Sequence, residues 1–575
     1  GVDIRQKICD MVEAQSSRVT VKETLNNSNF DNYVYPSRYN NERDMIRYFA
    51  FEFIDEDEVT EDVDWISKSE DIEADGVIYG IIPHSEESIS NLRELLITTS
   101  KNCERDIFIL PKHFSPIEEI VREFMAVSVL RDDANDDKVL FEEYEVIYED
   151  LREVIGSFMR GYIRPEEYKS IYIHNGAQAS VGRKAALTEL MSNICDHVYS
   201  CTPVINNEAM NKNEITTTAS NSRNKIIAAL LRNELEPNLG LSGSGQEVSI
   251  MRSTLVRTGV WEENNGLPRL NLHPEKVEHM AKVLETIENF ILEARKKGTV
   301  SFAELYRRLI SPQYHIGLRK GLIPIYLSAV IHEYKREVII ADQHGQIPVS
   351  VDTLIQINSK PDMFTMSYLD WNPEKEAFVQ QLSDYFSEYI VEAERCANSY
   401  DYVVFAMRRW YMALPKYTKE CKAKPDGGKL RKDYQEMLKL LKQNISGNEL
   451  LFEQLPKIFG FTEFQEALAD NVKMTKDFYD SYLSEVKKEL KKEVKEIFVL
   501  PKEKDYVDRM SLASVIKDWC ESLDQAVFEQ LFSDGTEKCL GLFKSITNDD
   551  NLTIVRLAKL ATDLRIEDWD EKVKL

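Results

Sequence analysis

The chain has no Walker A lysine, no cysteine pair at C-x-x-C spacing, no H-E-x-x-H, no G-x-S-x-G and no long apolar run. Each absence excludes a class. Eight cysteines (9, 103, 195, 201, 396, 421, 520, 539) scattered through 575 residues point to reduced thiols in a cytosol, not to a disulfide framework. Cys195 and Cys201 flank His197, but a zinc site needs tighter ligand spacing and a fourth ligand. His332-Glu333 is followed by Tyr334, Lys335 and Arg336, so the zincin motif is missing its second histidine. No stretch reaches the ~18 uncharged apolar residues of a membrane span. The opening GVDIRQKICDMVEAQ mixes both charges, unlike a signal peptide. Positive charge is also in deficit: Lys+Arg 72 against Asp+Glu 98 gives a formal charge of -26. Such a surface favours solubility and opposes nonspecific adhesion to nucleic acid. The acidic residues are spread without a paired-carboxylate pattern, and no catalytic residue can be named from the residues alone.

What is present is a chain long enough for several domains, with 43% hydrophobic and 30% charged residues, as in ordinary globular proteins. The stretch 215–261 looks first like a nucleotide loop, because Gly240, Gly243 and Gly245 are spaced as in a phosphate cradle. A P-loop needs Lys and then Ser/Thr after its last glycine; here Gln246 and Glu247 stand there. A carboxylate aimed at a polyphosphate is repelled, so Gly243 and Gly245 are the weakest candidate site. The preferred reading is helix, glycine turn, helix.

Hydrophobic patterning predicts an amphipathic helix over 4–25, a polar turn at 26–32, and a strand or buried helix over 48–54. Strand 76–82, helix 85–99, strand 106–111 and a helix from 116 follow at the spacing of a βαβ unit. This part is either the end of a larger α/β domain lying upstream of Gly1 or a self-contained α+β domain. A chain that does not begin with Met also raises the expectation of a longer natural protein. Helices are expected over 141–160, 186–199 and 274–295, with a short strand or turn at 171–176, where His174 is read as structural. A loop over 201–217 is expected beside the glycine turn.

Helices over 301–310 and 318–334, then short strands over 336–341 and 346–351, resemble a winged helix. Arg307, Arg308, Arg319, Lys320, Lys335 and Arg336 would then face DNA, since phosphate contacts need clustered Lys and Arg. Against this, 322–331 is apolar nearly all round, as in a buried helix. After 371 the chain reads as almost wholly helical. Arg408 and Arg409 beside Trp410 and Tyr411 suggest cation–π packing or a nucleic-acid patch. One long helix is expected over 463–498, its mixed Glu/Lys face solvated. The fold class is thus mainly α and multidomain. It comprises a small α/β part at 1–130, a helical domain with the glycine turn at 131–297, a winged-helix-like segment at 298–371 and a helical domain at 372–575.

Several phrases, taken in order, resemble the region that follows the ATPase core in large bacterial P-loop proteins of BREX-type anti-phage defence systems. They are YPSRYNNERDMIRYFAFEFID (35–55), VINNEAMNKNEIT with SRNKIIAALL (204–231), LGLSGSGQEVSIMRSTLVRTG (239–259), YHIGLRKGLIPIYLSAVI (314–331), WYMALPKYT (410–418) and LLFEQLP (450–456). The resemblance implies a cytoplasmic member of a phage-defence or DNA-surveillance complex whose partners are other defence proteins. No cofactor is assigned to this chain; ATP and Mg²⁺ enter only through an upstream ATPase core. The first functional reading is a non-catalytic interaction scaffold. The alternatives are a DNA-binding module using the winged-helix-like segment, and an enzyme such as a nuclease whose carboxylates converge with a lysine only in the folded chain. Homo-oligomerisation is left open.

Overall fold

The computed structural model describes residues 3–15, 19–27, 33–396, 400–498 and 508–575. The chain is mainly helical and forms two compact units, Gly1–Tyr334 with Ser350–Tyr368, and Lys335–Val349 with Leu369–Leu575.

The first unit is organised on a six-stranded sheet of β1 (Tyr33–Val34), β2 (Phe49–Asp55), β3 (Gly76–Ile82), β4 (Asp106–Pro111), β5 (Ser170–His174) and β6 (Ala177–Ala179), in that spatial order. β2, β3 and β4 run parallel, with Phe49 opposite Gly76 and Asp55 opposite Ile82, so β2 and β3 end side by side. β1, β5 and β6 add antiparallel edges. Every residue of GVIYGII and DIFILP is buried, the continuous apolar reading of a strand covered on both faces. Alternate side chains go to opposite faces. Phe49, Phe51, Phe53, Ile78 and Ile107 share one core, while Val77, Tyr79, Ile81 and Phe108 pack with Trp65, Leu92 and Leu96 in the other. Gly76 is imposed by packing: a Cβ there would lie 2.5 Å from the Phe49 ring and 2.6 Å from the Arg105 carbonyl oxygen.

The expected strand–helix–strand repeat is present, with helices Trp65–Glu70 and Ser88–Thr99 between the parallel strands. The open choice at 48–54 resolves to a strand, and the sheet continues past residue 130 to Ala179. The single helix expected over 4–25 is two helices, Ile4–Ala14 and Val19–Asn27; residues 28–32 of the polar turn lie outside the described residues. His174 is structural, its Nε2 lying 2.6 Å from the Glu104 carbonyl oxygen. The helix expected over 274–295 begins only at Met280, because His279 adopts a left-handed conformation (φ 69) at its N-cap.

The rest of this unit is mostly helical, with short strand pairs Trp261–Asn264 with Leu267–Leu270 and Thr299–Ser301 with Thr365–Tyr368; in its helix Ile323–Glu333 every residue from Ile323 to His332 is buried. A DNA-reading helix must expose one face to a groove. This one is core on all sides, as its apolar sequence suggests. The hairpin that would form the wing, Val338–Asp342 with Gly345–Ile347, is real. It belongs to the second unit, however, and a further helix, Val351–Ser359, returns to the first.

The second unit packs its helices around an aromatic core containing Phe378, Phe386, Trp410, Tyr479 and Tyr482. Helix Leu468–Ile497 buries Leu468, Val472, Thr475, Tyr479, Tyr482 and Val486, spacings of three and four that form one stripe. Trp410 is held by a 2.7 Å bond from its indole N–H to Asp480. Among the described residues, the neighbouring arginines make backbone and carboxylate contacts rather than the expected cation–π ones. Arg408 donates to the carbonyls of Gln443 and Ile445, and Arg409 to Glu394 and the Tyr389 carbonyl. The cations over Tyr411 are Lys419 and Lys442, 5.1 and 5.9 Å from the ring centre.

Candidate functional site

At the glycine turn, Gly240 (φ 67) and Gly243 (φ 83) are left-handed, a conformation glycine adopts without steric penalty. Gly245 caps the short helix Gln246–Met251. The Gln246 amide oxygen accepts from the Ser222 hydroxyl at 3.1 Å. The Glu247 carboxylate folds back over Gly245, 2.9 Å from where a Cβ would stand. It accepts from its own backbone N–H, with Lys225 also nearby, and this holds its pKa below the ordinary value. The glycine turn thus carries an acid, not a lysine, beside its last glycine.

Arg307, Arg308, Arg319, Lys320 and Arg336 lie against carboxylates. Arg307 forks onto Glu304 at 3.0 Å through two nitrogens. Arg308 bridges Glu293 at 2.8 Å and Glu304 at 3.0 Å. Arg336, in the second unit, meets Glu376 at 3.2 Å and lies over the Trp371 ring. Lys335 is half-buried beside it in sequence. Lys320 is 3.8 Å from Glu73. Arg307, Arg319 and Lys320 do converge, with Arg105, Glu70 and Asp75, on one cavity of about 680 Å³. The Arg319 side chain is only 2% exposed, which removes it from any phosphate-facing set.

Arg319 belongs instead to a buried junction. Asp75 takes the Arg319 guanidinium on both oxygens and Arg47 at 2.8 Å. It also accepts the Tyr48 N–H. The Arg47 guanidinium lies 3.9 Å from the Tyr199 ring centre and donates to Thr202 at 2.9 Å. Asn40 clasps the Arg47 backbone through both its amide oxygen and its amide nitrogen. Burial raises the Asp75 pKa, but Arg319 and Arg47 outweigh burial and hold the carboxyl below its ordinary value. Two backbone bonds and one side-chain bond complete the junction: Ile46 N–H to the Asn211 carbonyl, Gly321 N–H to the Lys212 carbonyl, and the Arg223 guanidinium to the Gly321 carbonyl. A Cβ on Gly321 would collide with the Met210 and Lys212 carbonyl oxygens. Tyr39, Asn40 and Arg47, then Met210 to Lys212, then Arg223, then Arg319 to Gly321, come from four separate phrases of the resemblance described above.

A second constellation sits at the carboxyl ends of β2 and β3. His84 Nε2 is 2.8 Å from an Asp55 oxygen, and its Nδ1 is 3.2 Å from Glu56 and 3.9 Å from Asp57. The Asp55 side chain also accepts the Asp57 N–H, while the Glu58 carboxylate accepts the Asp55 N–H, closing a capping box. Glu56 accepts the His84 N–H at 2.8 Å and the Ser88 hydroxyl at 2.7 Å. Sequence reasoning missed these residues. The signal was an acidic run, DEDE, closing one apolar strand and a Pro-His closing the next; only parallel pairing in register brings the two ends together. The Cys195, His197 and Cys201 set does not converge on a metal. Cys195 is buried, His197 faces Glu104 at 3.1 Å, and Lys282 donates to Cys201.

Comparison of the chain with protein-family models, with curated proteins and with solved structures found no match in any of the three. Among the described residues, no helix is long and apolar enough to cross a membrane.

Proposed function

We propose that the chain is a non-catalytic interaction platform of a bacterial anti-phage defence complex, of the kind that follows the ATPase core in BREX-type P-loop proteins. The observation that carries this reading is the Arg47–Asp75–Arg319 junction, because four of the phrases that suggested the family meet there. There they tie segments distant in sequence together through buried hydrogen bonds. Buried polar networks of this kind favour one arrangement of elements, which a docking platform needs. The partners are other proteins of the defence system, in the cytoplasm, and any ATP chemistry belongs to an upstream core. The DNA-binding reading has less support, since the arginines it relies on already hold carboxylates. Isothermal titration of the chain with ATP and Mg²⁺ tests the proposal. The expected result is no saturable heat and no phosphate release; tight binding with turnover overturns it.

A further inference from the structure

We propose that the cavity of about 510 Å³ beyond the carboxyl end of β4 binds a small aromatic carboxylate, its ring against Phe114, Phe158 and Tyr162 and its charge beside Lys112 and Lys169. This goes beyond the platform reading and does not depend on it. The topology of the sheet places a crevice there. Helix Ser88–Thr99, which follows β3, buries Leu92 and Leu96 in the core on one face. Helix Ile117–Asp133, which follows β4, buries Ile117 and Val121 in the core on the other. The chain thus leaves two adjacent parallel strands on opposite sides, and ligands of open α/β sheets bind outside the strand ends at such a point.

The lining selects the ligand. The volume lies within the roughly 300–1,000 Å³ of small-molecule sites. Phe158 and Tyr162 meet edge to face, their ring centres 5.3 Å apart. Tyr162 gives its hydroxyl to the Ile81 carbonyl, so it offers the cavity a ring and not a polar group. Aromatic walls of this kind favour a ring as partner. The charge is equally one-sided. Among the described residues no Asp or Glu lines the cavity, in a chain that carries 98 of them. The carboxylates beside it are engaged: Glu86 meets His113 at 3.1 Å and accepts the Phe114 N–H, and Glu167 stands 3.6 Å from Lys169. Lys112 pairs with no carboxylate among the described residues, and its ammonium lies 5.9 Å from the Tyr168 ring centre. Ser115 and Ser157 line the cavity, and neither hydroxyl meets a partner among the described residues, although a serine inside a helix commonly bonds back to a carbonyl one turn earlier. The frame is fixed by the Lys112 N–H, which donates to the Lys169 carbonyl at 2.8 Å and joins the two loops. Between those lysines in space stands Tyr168, 67% exposed and left-handed (φ 55), a conformation uncommon for a bulky residue and concentrated at ligand clamps.

Equilibrium dialysis of the full-length chain against naphthalene-2-carboxylate, with naphthalene-2-carboxamide as the uncharged probe, tests the proposal. One equivalent of the carboxylate should bind, and the carboxamide should bind about 10-fold more weakly, the worth of one hydrogen bond to a charged group. Lys112→Gln combined with Lys169→Gln should remove that difference by weakening the carboxylate alone. Tyr168→Gly suits the left-handed backbone, so it should keep or raise the melting temperature while weakening both probes. Val154 lines the cavity and is 45% exposed, so Val154→Trp should fill the cavity and abolish binding with the parent melting curve intact. No saturable binding to the parent chain overturns the proposal. So does a carboxamide that binds as tightly as the carboxylate, and so does binding that Tyr168→Gly and Val154→Trp both leave unchanged.

Discussion

Asp75 and Arg319, 244 positions apart in the chain, form a buried two-oxygen ion pair, and Arg47 adds a second guanidinium to the same carboxylate. Both arginines are buried, and the Asp75 side chain is 4% exposed. Removing the shared partner leaves two buried cations uncompensated. Breaking a buried pair in this way is destabilising by about 3–5 kcal/mol. Asp75→Ala should therefore accelerate hydrogen exchange of the β2 and β3 amides by two orders of magnitude or more. Unchanged protection of those strands would remove the junction from its central place. The sign with pH follows from the depressed carboxyl pKa. Its stabilisation is full above the unfolded-state value, about 3.9, and is lost as pH falls through the folded-state value.

Asp106 behaves in the opposite sense. It is buried at the start of β4, one oxygen accepting from Ser69 at 2.5 Å and Cys103 at 3.0 Å, while the other oxygen has no hydrogen-bond partner. Burial raises its pKa against the help of those bonds and of Arg105. As pH rises above the unfolded-state value, the unfolded chain ionises first, so holding this acid inside becomes progressively unfavourable. Asp106→Asn removes the ionisation while keeping the shape. Its melting temperature relative to the parent should climb between pH 4 and pH 8; a difference that stays flat across that range would show that the buried carboxyl carries no such penalty.

Much of this architecture was legible in the sequence, for identifiable reasons. GVIYGII and DIFILP are apolar runs too short for helices and bounded by turns, so their strand character is written locally. Helix Leu468–Ile497 repeats its apolar residues at spacings of three and four, and the all-round apolarity of 322–331 announced the burial now seen in Ile323–Glu333. What stayed hidden depends on long-range pairing. Arg319 reads as one more surface cation until Asp75 is placed against it. Asp55 and His84, which meet at 2.8 Å, come from different strand ends and share no motif spacing. The wing-like hairpin shows the converse: its strands were visible locally, whereas its assignment to the second unit was not.

The same pairing decides what to expect with DNA. Each phosphate contact contributes about −0.9 to the slope of log affinity against log salt, and that gain requires cations not already neutralised. Arg307 is forked onto Glu304, Arg308 onto Glu293 and Glu304, and Arg319 is sealed beneath Asp75. Lys320 is loosely held, 3.8 Å from Glu73. One or two contacts cannot offset a formal charge of -26, so the chain should not retard duplex DNA in a gel even at about 50 mM salt. Replacing Arg307, Arg308 and Lys320 together with Glu should leave that result unchanged. Arg308→Glu should nevertheless lower stability, because a third acid would then face Glu293 and Glu304. Surface pairs contribute at most about 1 kcal/mol each; Arg308 is part-buried, 16% exposed, so the loss should exceed that of a surface pair while still shrinking with added salt. A salt-sensitive shift that the triple substitution abolishes would restore the DNA-binding reading to first place.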